Sequence, residues 1–498
     1  TAGTIAAGTD SALGTGTLTL NAGTLVATGG ARTFANDISL LASSTLGGSN
    51  DFLFNGKLTD TLAGNPVLTV NNTAATTFGD VDLSNSVTSR TVTISGNGDT
   101  TIAGVIANGG GATTSGLTKT GAGTLTLTGN NTYGGATTVS AGILRATHAG
   151  ALGSGTLSLG AGTLQLANDS DTAFGRNTTV TANTTLVLDR LTDGAATTHT
   201  LGTLSLGAFT LTTASGSHDT SGTAGLVFGA ATLTGNATFT AGASTSLTVA
   251  SVAGAARNLL VNGSGNTTVL GAVTTTTGTL TKDDSGTLTI AGTAGTFTGR
   301  TTINQGTVEV AKLANNGASS SLGAPALANS TLALGSGASS ATLRYTGTGD
   351  TSNRVVDLAG TTGGATLDAS GSGALTLTSA LTATGAGAKT LTLTGTSAGA
   401  NTLSGAIVDS GGGATSLAKT GGGAWTLSGT NTFTGGVTVG AGTLTVSNAG
   451  SLSTASVPLT LGGGTLVLNH ATQTLSSLSG NGTITCGNGH VLTLDQIS

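Results

Sequence analysis

The side chains of this chain that could do chemistry are few and widely scattered. Charged residues make up 7% of the 498 residues, and Glu309 is the only glutamate. Two pairs of aspartates lie two residues apart, Asp80 with Asp82 and Asp169 with Asp171. If each pair lay within a β-strand, both carboxylates would share one face. The spacing therefore raises the question of a metal-dependent site.

A lyase could use such carboxylates to bind Ca²⁺ and a nearby arginine as the base. Arg90 and Arg176 follow the two aspartate pairs in sequence. Calcium takes about six to eight oxygen ligands, however, and neither cluster offers enough carboxylates. We therefore interpret both pairs as solvated turn residues.

The histidines do not form a metal-binding or catalytic motif. They are His148, His199, His218, His470 and His490. No two have the spacing of metal ligands, and none accompanies a cysteine. His218-Asp219 has three serines nearby, which are Ser215, Ser217 and Ser221. A catalytic triad is assembled in space rather than from adjacent residues of a turn. We predict no catalytic, cofactor-binding or metal-binding residue, and a protein that is not an enzyme.

Charge and cysteine content exclude further classes of partner. The 15 Lys and Arg residues are scattered singly and the net charge is −5, so no basic stripe is available to nucleic acid. No apolar run approaches the ~18 residues that insertion into a bilayer requires. Cys486 is the single cysteine, which excludes an intrachain disulfide. We predict that it is a small buried apolar residue.

The elements that must position these residues are β-strands. Apolar residues alternate with threonine, as in Leu125-Thr126-Leu127-Thr128 and Leu391-Thr392-Leu393-Thr394. A period of two predicts strands with leucine on one face and threonine on the other. Glycine, with 85 copies, and asparagine interrupt the strands and favour turns. The alternation predicts an all-β fold.

Three segments repeat one longer pattern, and they cover residues 117–166, 280–334 and 417–468. Equivalent apolar positions recur every 19 to 24 residues. The expected stacked sets are Leu125, Leu144 and Leu164; Leu288, Val308 and Leu332; and Trp425, Leu444 and Leu466. A period of this length, built from short strands and turns, is typical of a β-solenoid. We predict one continuous right-handed parallel β-helix over residues 1–498, with two to three strands per coil of about 20–24 residues.

Other positions of the repeat are predicted to have structural roles. Tyr133, Phe297 and Phe433 occupy one slot and should fill the core or a corner. Trp425 replaces a leucine of the other copies and should point inward. The repeat lysines are expected on the exposed side of a strand entry, and they are Lys119, Lys282 and Lys419.

The motif resembles the passenger-associated transport repeat of autotransporter passenger domains. Lys119 to Leu144 and Lys419 to Leu444 match it closely, whereas Lys282 to Val308 departs from it with Asp283-Asp284 after the lysine. The resemblance implies a right-handed β-helix on the bacterial cell surface, outside the outer membrane. It also implies a role in carrying the passenger across that membrane.

The ends of the chain predict that it is a fragment or a processed part of a larger protein. Gly3-Thr4-Ile5 corresponds to Gly142-Ile143-Leu144, so the chain begins partway through a repeat. Autotransporters end in a β-barrel, and this chain has no aromatic-girdled segment of that kind. We therefore expect either a removed barrel or a different secretion route.

The sequence favours a non-catalytic extracellular rod, such as a fibre segment, stalk or adhesin shaft. End-to-end self-association into filaments is a further expectation, because exposed strand edges invite a second copy. Contacts of its polar faces with cell-surface molecules or glycans are a further expectation. Two alternatives stay open: a carbohydrate-active β-helix, which needs three charged side chains on neighbouring coils, and an ice-binding face, which needs pairs of threonines in register.

Overall fold

The computed structural model describes residues 3–447, 449–469 and 472–495, and its contacts divide them into two compact units. The N unit comprises residues 1–235 with 240–248, and the C unit comprises residues 236–239 with 249–498. In both units short strands pair in parallel with the strand one coil later, for example 124–127 with 143–146 and 424–427 with 443–446. Each unit is a parallel β-solenoid, which confirms the predicted fold class.

The strands form where apolar residues and threonine alternate. Within Thr124–Leu127 the leucines are buried and the threonines are half-exposed. The same alternation recurs in Thr443–Val446 and Thr465–Leu468. Because every second side chain points inward, stacked coils bury one column of apolar residues. Leu125, Leu144 and Leu164 each have no exposed surface.

The N unit has three main parallel sheets and one small lateral pair. The first sheet contains Thr4–Ala7, Thr24–Ala27, Ser44–Gly48, Val67–Val70, Thr91–Ser95, Gly116–Lys119, Thr137–Val139, Leu157–Leu159, Thr172–Ala173, Thr178–Val180, Thr198–Thr200, Leu204–Leu206 and Ala224–Leu233. The second contains Arg32–Phe34, Phe52–Phe54, Thr76–Phe78, Thr100–Ile102, Thr124–Leu127, Ile143–Ala146, Thr163–Ala167, Thr184–Asp189 and Thr210–Ser215. The third contains Leu18–Leu20, Ile38–Leu40, Leu58–Asp60, Val81–Asp82 and Ile106–Ala107, and the lateral pair is Gly194–Ala195 with Asp219–Ser221.

The C unit has the same construction. One sheet contains Asn266–Val269, Val273–Thr274, Thr287–Ile290, Gly306–Val310, Ala341–Tyr345, Ala365–Ala369, Lys389–Thr394, Thr415–Lys419, Val437–Val439, Val457–Leu461, Thr472–Gly480 and Val491–Leu494. A second contains Leu259–Asn262, Leu280–Lys282, Thr301–Ile303, Leu332–Leu334 and Val356–Leu358, and a third contains Asp350–Ser352, Leu375–Leu377, Asn401–Leu403, Ala424–Leu427, Thr443–Val446, Thr465–Leu468 and Thr483–Cys486. Two strands, Ala237–Ala241 and Thr245–Ala253, include residues of both units, and the short 3₁₀ turn is Leu327–Asn329.

The predicted coil spacing is confirmed in the first and third repeats. Leu125 pairs with Leu144, which pairs with Leu164. Trp425 pairs with Leu444, which pairs with Leu466.

The second repeat contains one error of prediction. Leu288 pairs with Val308 as expected, but Val308 then pairs with Leu343, not with Leu332. Leu332 belongs to a neighbouring sheet and pairs with Thr301. The reason is an insertion at 311–331, which delays the return of the chain to the sheet of Val308. Leu332 follows the insertion in an apolar position of the alternation, so the sequence pattern predicts it as the partner of Val308.

Polar side chains also link successive coils. Asp99 Oδ1 accepts the Thr124 backbone N–H at 2.7 Å, and Asp80 Oδ1 accepts that of Val105 at 2.8 Å. Asn266 Oδ1 does the same for Thr287 at 3.1 Å in the C unit. These bonds satisfy donors at strand entries that the ladder leaves free. The continuity of the solenoid over residues 1–498 stays a prediction, because the contacts divide the chain into two units.

Candidate functional site

The three repeat lysines are buried, which corrects the prediction that they are exposed. Lys119, Lys282 and Lys419 have 2%, 1% and 0% of their surface exposed. Each occupies an inward position at the end of its strand, as in Gly116–Lys119 and Thr415–Lys419. The alternation of the strand therefore directs the lysine side chain toward the core. Because lysine is rarely buried without a partner, its ammonium group must have hydrogen-bond acceptors there.

Backbone carbonyls of the following turn surround each ammonium group. Lys119 Nζ donates to the carbonyls of Thr120 and Gly121, the latter at 2.8 Å. In the third repeat Lys419 Nζ donates to the carbonyls of Thr420 at 2.6 Å and Gly421 at 2.8 Å. Such charge-assisted bonds offset part of the cost of burying a cation. We call this arrangement the lysine turn.

The second repeat builds the same lysine turn from different residues. Lys282 Nζ donates to the carbonyls of Asp283 and Asp284, the latter at 2.7 Å. Asp284 has φ +58, where the other copies have Gly121 at +69 and Gly421 at +66. An aspartate tolerates this left-handed conformation better than most residues do. The departure noted in the sequence therefore preserves the geometry.

A glycine of the next coil packs directly on each lysine turn. A Cβ at Gly142 would lie 2.2 Å from the Gly121 carbonyl oxygen and 2.7 Å from Lys119 Nζ. A Cβ at Gly442 would lie 2.5 Å from the Gly421 oxygen. Both glycines also have positive φ, at +68 and +63. Close stacking of coils thus requires glycine here.

Burial shifts the titration of these lysines. It lowers the pKa of Lys119 from 10.5 to about 8, and Asp99 opposes the shift. It also lowers the pKa of Lys282 to about 8, against the effect of Asp284 and Asp283. Burial alone lowers the pKa of Lys419 to about 8. Loss of solvent disfavours the charged form, whereas the carbonyl oxygens hold the ammonium in place.

Two further buried cations were not anticipated from the sequence. Lys389 is 4% exposed, and its Nζ donates to the Gly360 carbonyl at 2.7 Å. Arg354 donates to the carbonyls of Leu322 at 2.8 Å and Gly323 at 2.7 Å, and so holds the inserted segment 311–331. Their inward position in the alternation was the available signal.

The repeat asparagines bridge three coils. Asn131 Oδ1 accepts the Ile106 N–H at 2.8 Å, and its Nδ2 donates to the Ala151 carbonyl at 2.6 Å. Asn431 does the same with Ile407 N–H at 2.8 Å and with the Ser451 carbonyl. In the second repeat Gly295 takes this place, and a Cβ there would lie 2.6 Å from the Ser320 oxygen of the inserted segment.

The predicted aromatic positions are confirmed. Tyr133, Phe297 and Phe433 each have no exposed surface, and Trp425 has 1%. Tyr133 forms a hydroxyl hydrogen bond with Thr137 at 2.5 Å. These rings fill the interior of the coils rather than a ligand site.

The histidine and aspartate clusters do not form a catalytic triad. His218 Nδ1 lies 3.4 Å from Asp189 Oδ2 and also 3.4 Å from Ser217 Oγ. Because serine and carboxylate share one ring nitrogen, the imidazole cannot relay a proton between them. Asp219 accepts instead from Ser215 Oγ at 3.1 Å.

Of the other histidines, two have structural contacts, one is half-buried and one lies outside the described residues. Burial lowers the pKa of His199, whose Nε2 lies 3.1 Å from the Asp189 carbonyl oxygen. His148 Nδ1 accepts the Gly150 N–H at 3.1 Å. His490 is half-buried, and His470 lies outside the described residues. Within the part of the chain that the structure describes, no three His, Cys, Asp or Glu side chains are placed to hold a metal ion.

The aspartate pairs do not meet the two arginines. Asp169 accepts the backbone N–H groups of Leu191 and Thr192, both at 2.9 Å. Arg90 lies against Asp60 at 3.7 Å, and Arg176 donates to the Phe174 carbonyl at 2.8 Å. Asp80, Asp169 and Asp171 lie outside the strands and accept backbone N–H groups of the next coil, whereas Asp82 belongs to the strand Val81–Asp82 and is not a turn residue. Asp82 similarly lies 3.1 Å from Lys57, and Asp171 accepts the N–H of Thr198 at 2.8 Å.

Three charged side chains do lie in register on neighbouring coils. Glu309 pairs with Arg344, which pairs with Asp368. Arg344 Nε donates to Asp368 at 2.8 Å and Nη1 to Glu309 at 3.4 Å. The bond to Asp368 is the main cause that raises the pKa of Arg344. The cluster meets the number of charges that a lyase needs, but a guanidinium held by two carboxylates is a poor base.

Cys486 is exposed, so the prediction of a buried cysteine is wrong. It ends the strand Thr483–Cys486, where Thr483 and Thr485 are exposed as well and Ile484 is half-buried. The alternation that elsewhere separates buried from exposed residues is not expressed in this strand. The exposure of Cys486 could therefore not be predicted from its residue type alone.

Comparison with known proteins identifies the repeats. A segment of 167 residues is 34% identical to the protein named adhesin BmaC autotransporter of Brucella suis biovar 1 (strain 1330), and covers 33% of this chain and 5% of that relative. A model of the passenger-associated transport repeat matches residues 117–146, 280–310 and 417–446. The three matched segments are passenger-associated transport repeats within a β-solenoid, and a third of the chain is similar to an autotransporter adhesin.

The three passenger repeats are therefore the segments that contain the lysine turns. Each match begins at the strand that carries the lysine and ends with the strand of the next coil. No solved structure matches the chain. In the described residues, no helix is both long and apolar enough to cross a bilayer.

Proposed function

We propose that this passenger-type β-helix is a non-catalytic structural segment of an extracellular adhesin-like protein, forming part of its shaft or stalk. The single observation that carries the proposal is the set of three passenger repeats, each with a buried lysine turn on which a glycine of the next coil packs. The similarity to an autotransporter adhesin supports the same role. Because that match covers 5% of the relative, its activity is not transferred to this chain.

The outer faces support a role in display rather than catalysis. In the N unit a column of hydroxyls runs in register along the first sheet through Thr93, Thr118, Thr138, Ser158, Thr179, Ser205 and Thr232. The C unit has a column through Thr287, Thr307, Thr342, Thr366 and Thr392, and beyond Ala418 through Thr438, Thr460 and Ser479. Such surfaces are solvated and hydrogen-bonding and carry few charges.

The ice-binding alternative receives no support from these columns. It requires pairs of threonines side by side over many coils. In the C unit the column next to Thr307, Thr342 and Thr366 contains the charged residues Glu309, Arg344 and Asp368. Adjacent threonine pairs are therefore interrupted at three successive coils.

Surface location is tested in the bacterium that makes the protein. We expect antibodies against this segment to label intact cells, and external protease to remove the labelling. Deletion of the parent gene should reduce attachment of the cells to host or abiotic surfaces. Labelling that requires permeabilised cells would overturn the extracellular location, and normal attachment would overturn the adhesin role.

We further propose end-to-end self-association. The association is that of the 498-residue chain by itself. An edge of a parallel sheet that no other strand covers can accept a strand of a second copy. Sedimentation that rises with concentration and filaments in electron micrographs are the expected results; monodisperse short particles at all concentrations would contradict it.

A further inference from the structure

A shallow depression interrupts the hydroxyl-rich face of the C unit. It has a volume of about 400 Å³ and is lined by Ser340, Gly364, Thr366, Thr390, Thr392 and Ser416. Thr366 and Thr392 are register partners, as are Thr390 and Ser416. The depression therefore lies between two columns of hydroxyl side chains on successive coils.

Gly364 creates the depression, and the packing maintains it. A Cβ at this position would lie 2.7 Å from the carbonyl oxygen of Thr390, closer than non-bonded atoms tolerate. The Gly364 N–H donates to Ser340 Oγ at 3.0 Å, which fixes the rim. The gap in the column is thus a consequence of backbone stacking.

The hydroxyls around the gap are available to a ligand. The side-chain hydroxyls of these residues form no hydrogen bond within the described part of the chain, and the residues are Thr366, Thr390, Thr392 and Ser416. Successive coils place them roughly 4.8 Å apart, and neighbouring positions on one strand face are roughly 7 Å apart. A ligand with several hydroxyls on this scale could satisfy more than one of them at a time.

The surrounding charges favour a neutral ligand. Lys389 lies at the floor, but it is buried and its Nζ donates to the Leu358 carbonyl at 3.3 Å and the Gly360 carbonyl at 2.7 Å. Arg344 nearby in the sheet is held by Asp368 and Glu309. No free cation is therefore directed into the depression from these groups, and the lining is too polar for an apolar ligand.

We propose that this depression binds a neutral saccharide unit of a surface glycan, an inference that rests on the proposed adhesin-like function. Each exposed hydrogen bond contributes little, so a single site binds weakly. Many copies on one cell surface raise the effective affinity through multivalency. The depression then acts as a contact point within an otherwise uniform hydroxyl face.

The test uses the whole 498-residue chain and a panel of neutral oligosaccharides, namely α-glucan, β-glucan, mannan and galactan fragments. Heparin serves as the anionic comparison. We expect saturation-transfer NMR to detect at least one neutral fragment. The double variant Thr366→Val with Thr390→Val should weaken that binding about tenfold or more, because it removes two hydroxyls and keeps the branched shape.

The matched control is Thr307→Val with Thr438→Val, which removes two hydroxyls of the column that contains Thr366, on coils away from the depression. It should leave binding unchanged, and circular dichroism should show that both variants are folded. Absence of neutral binding at millimolar fragment, binding of heparin only, or equal loss in both variants would overturn the inference. Intact-cell labelling and attachment are measured separately, so the proposed function can stand or fail independently of this result.

Discussion

The ammonium nitrogen of Lys419 lies 3.1 Å from the carbonyl oxygen of Ala441, 22 residues further along the chain. The same ammonium group donates to Thr420 and Gly421 in its own turn. One buried side chain therefore fixes a turn and joins it to the next coil. This relationship explains why a charge is retained in a chain that has few charges.

Replacement of the repeat lysine should open the stacked coils. We expect Lys419→Met to lower the free energy of local opening by about 2 kcal/mol or more, because it leaves buried carbonyl oxygens without a donor. Hydrogen exchange of strands Thr415–Lys419 and Val437–Val439 measures this quantity. Lys57→Met is the control, because the Lys57 side chain is 47% exposed. Equal protection in the two variants would refute a structural role for the lysine turn.

The lysine turns should make stability depend on alkaline pH. The folded pKa of Lys419 is about 8 and its ordinary value is 10.5. Below pH 8 the lysine is charged in both states, so the folded state bears the full cost of burying the charge. Between pH 8 and 10.5 the folded state loses its proton first, and stability rises.

Hydrogen exchange corrected for the intrinsic pH effect measures this dependence. The rise near strand Thr415–Lys419 should be absent in Lys419→Met. A loss of stability over the same pH window that depends on Lys419 would contradict this prediction. It would show that the carbonyl oxygens of the lysine turn stabilise the charged form more than burial destabilises it.

The coil-bridging Asn431 should contribute as much to the stability of the fold as Lys419 does. Asn431→Ala leaves the Ile407 N–H and the Ser451 carbonyl without their partner, and we expect a loss of about 2 kcal/mol or more. Asn488→Ala, at an exposed turn, should have little effect. Denaturant unfolding followed by Trp425 fluorescence reports on the same coil stack. An Asn431→Ala midpoint equal to that of the native chain would argue against the bridge.

Two neighbouring glycines provide a direct test of close coil stacking. Gly442 has φ +63, and its Cβ would lie 2.4 Å from the Gly423 carbonyl oxygen, so Gly442→Ala should cost more than about 1 kcal/mol. At Gly422 a Cβ would meet nothing within 4 Å. Thermal unfolding should therefore show a lower midpoint for Gly442→Ala and little change for Gly422→Ala. The reverse order would contradict the packing described for the lysine turn.

The alternation of apolar residues and threonine was sufficient to predict the solenoid, the stacking of Leu125 on Leu144 and the burial of Trp425. It could not predict Lys119, because a lysine is exposed unless carbonyl oxygens enclose its ammonium group, and those oxygens come from a turn whose geometry the pattern does not specify. The predicted pairing of Leu332 with Val308 was wrong, because the inserted segment keeps the alternation but places Leu332 in a different sheet. The bridging by Asn131 depends on backbone groups 25 residues before it and 20 residues after it, and the sequence pattern does not specify that these groups are close in space.

Cross-linking of two outward residues tests the coil register most directly. Thr138 and Ser158 are register partners on successive coils, and parallel neighbours lie roughly 4.8 Å apart, within the reach of a disulfide. In a Cys486→Ser background, the pair Thr138→Cys with Ser158→Cys should oxidise rapidly to an intrachain disulfide. The pair Thr138→Cys with Thr179→Cys, one coil further apart, should not. Efficient cross-linking of the second pair and not the first would contradict the stacked solenoid.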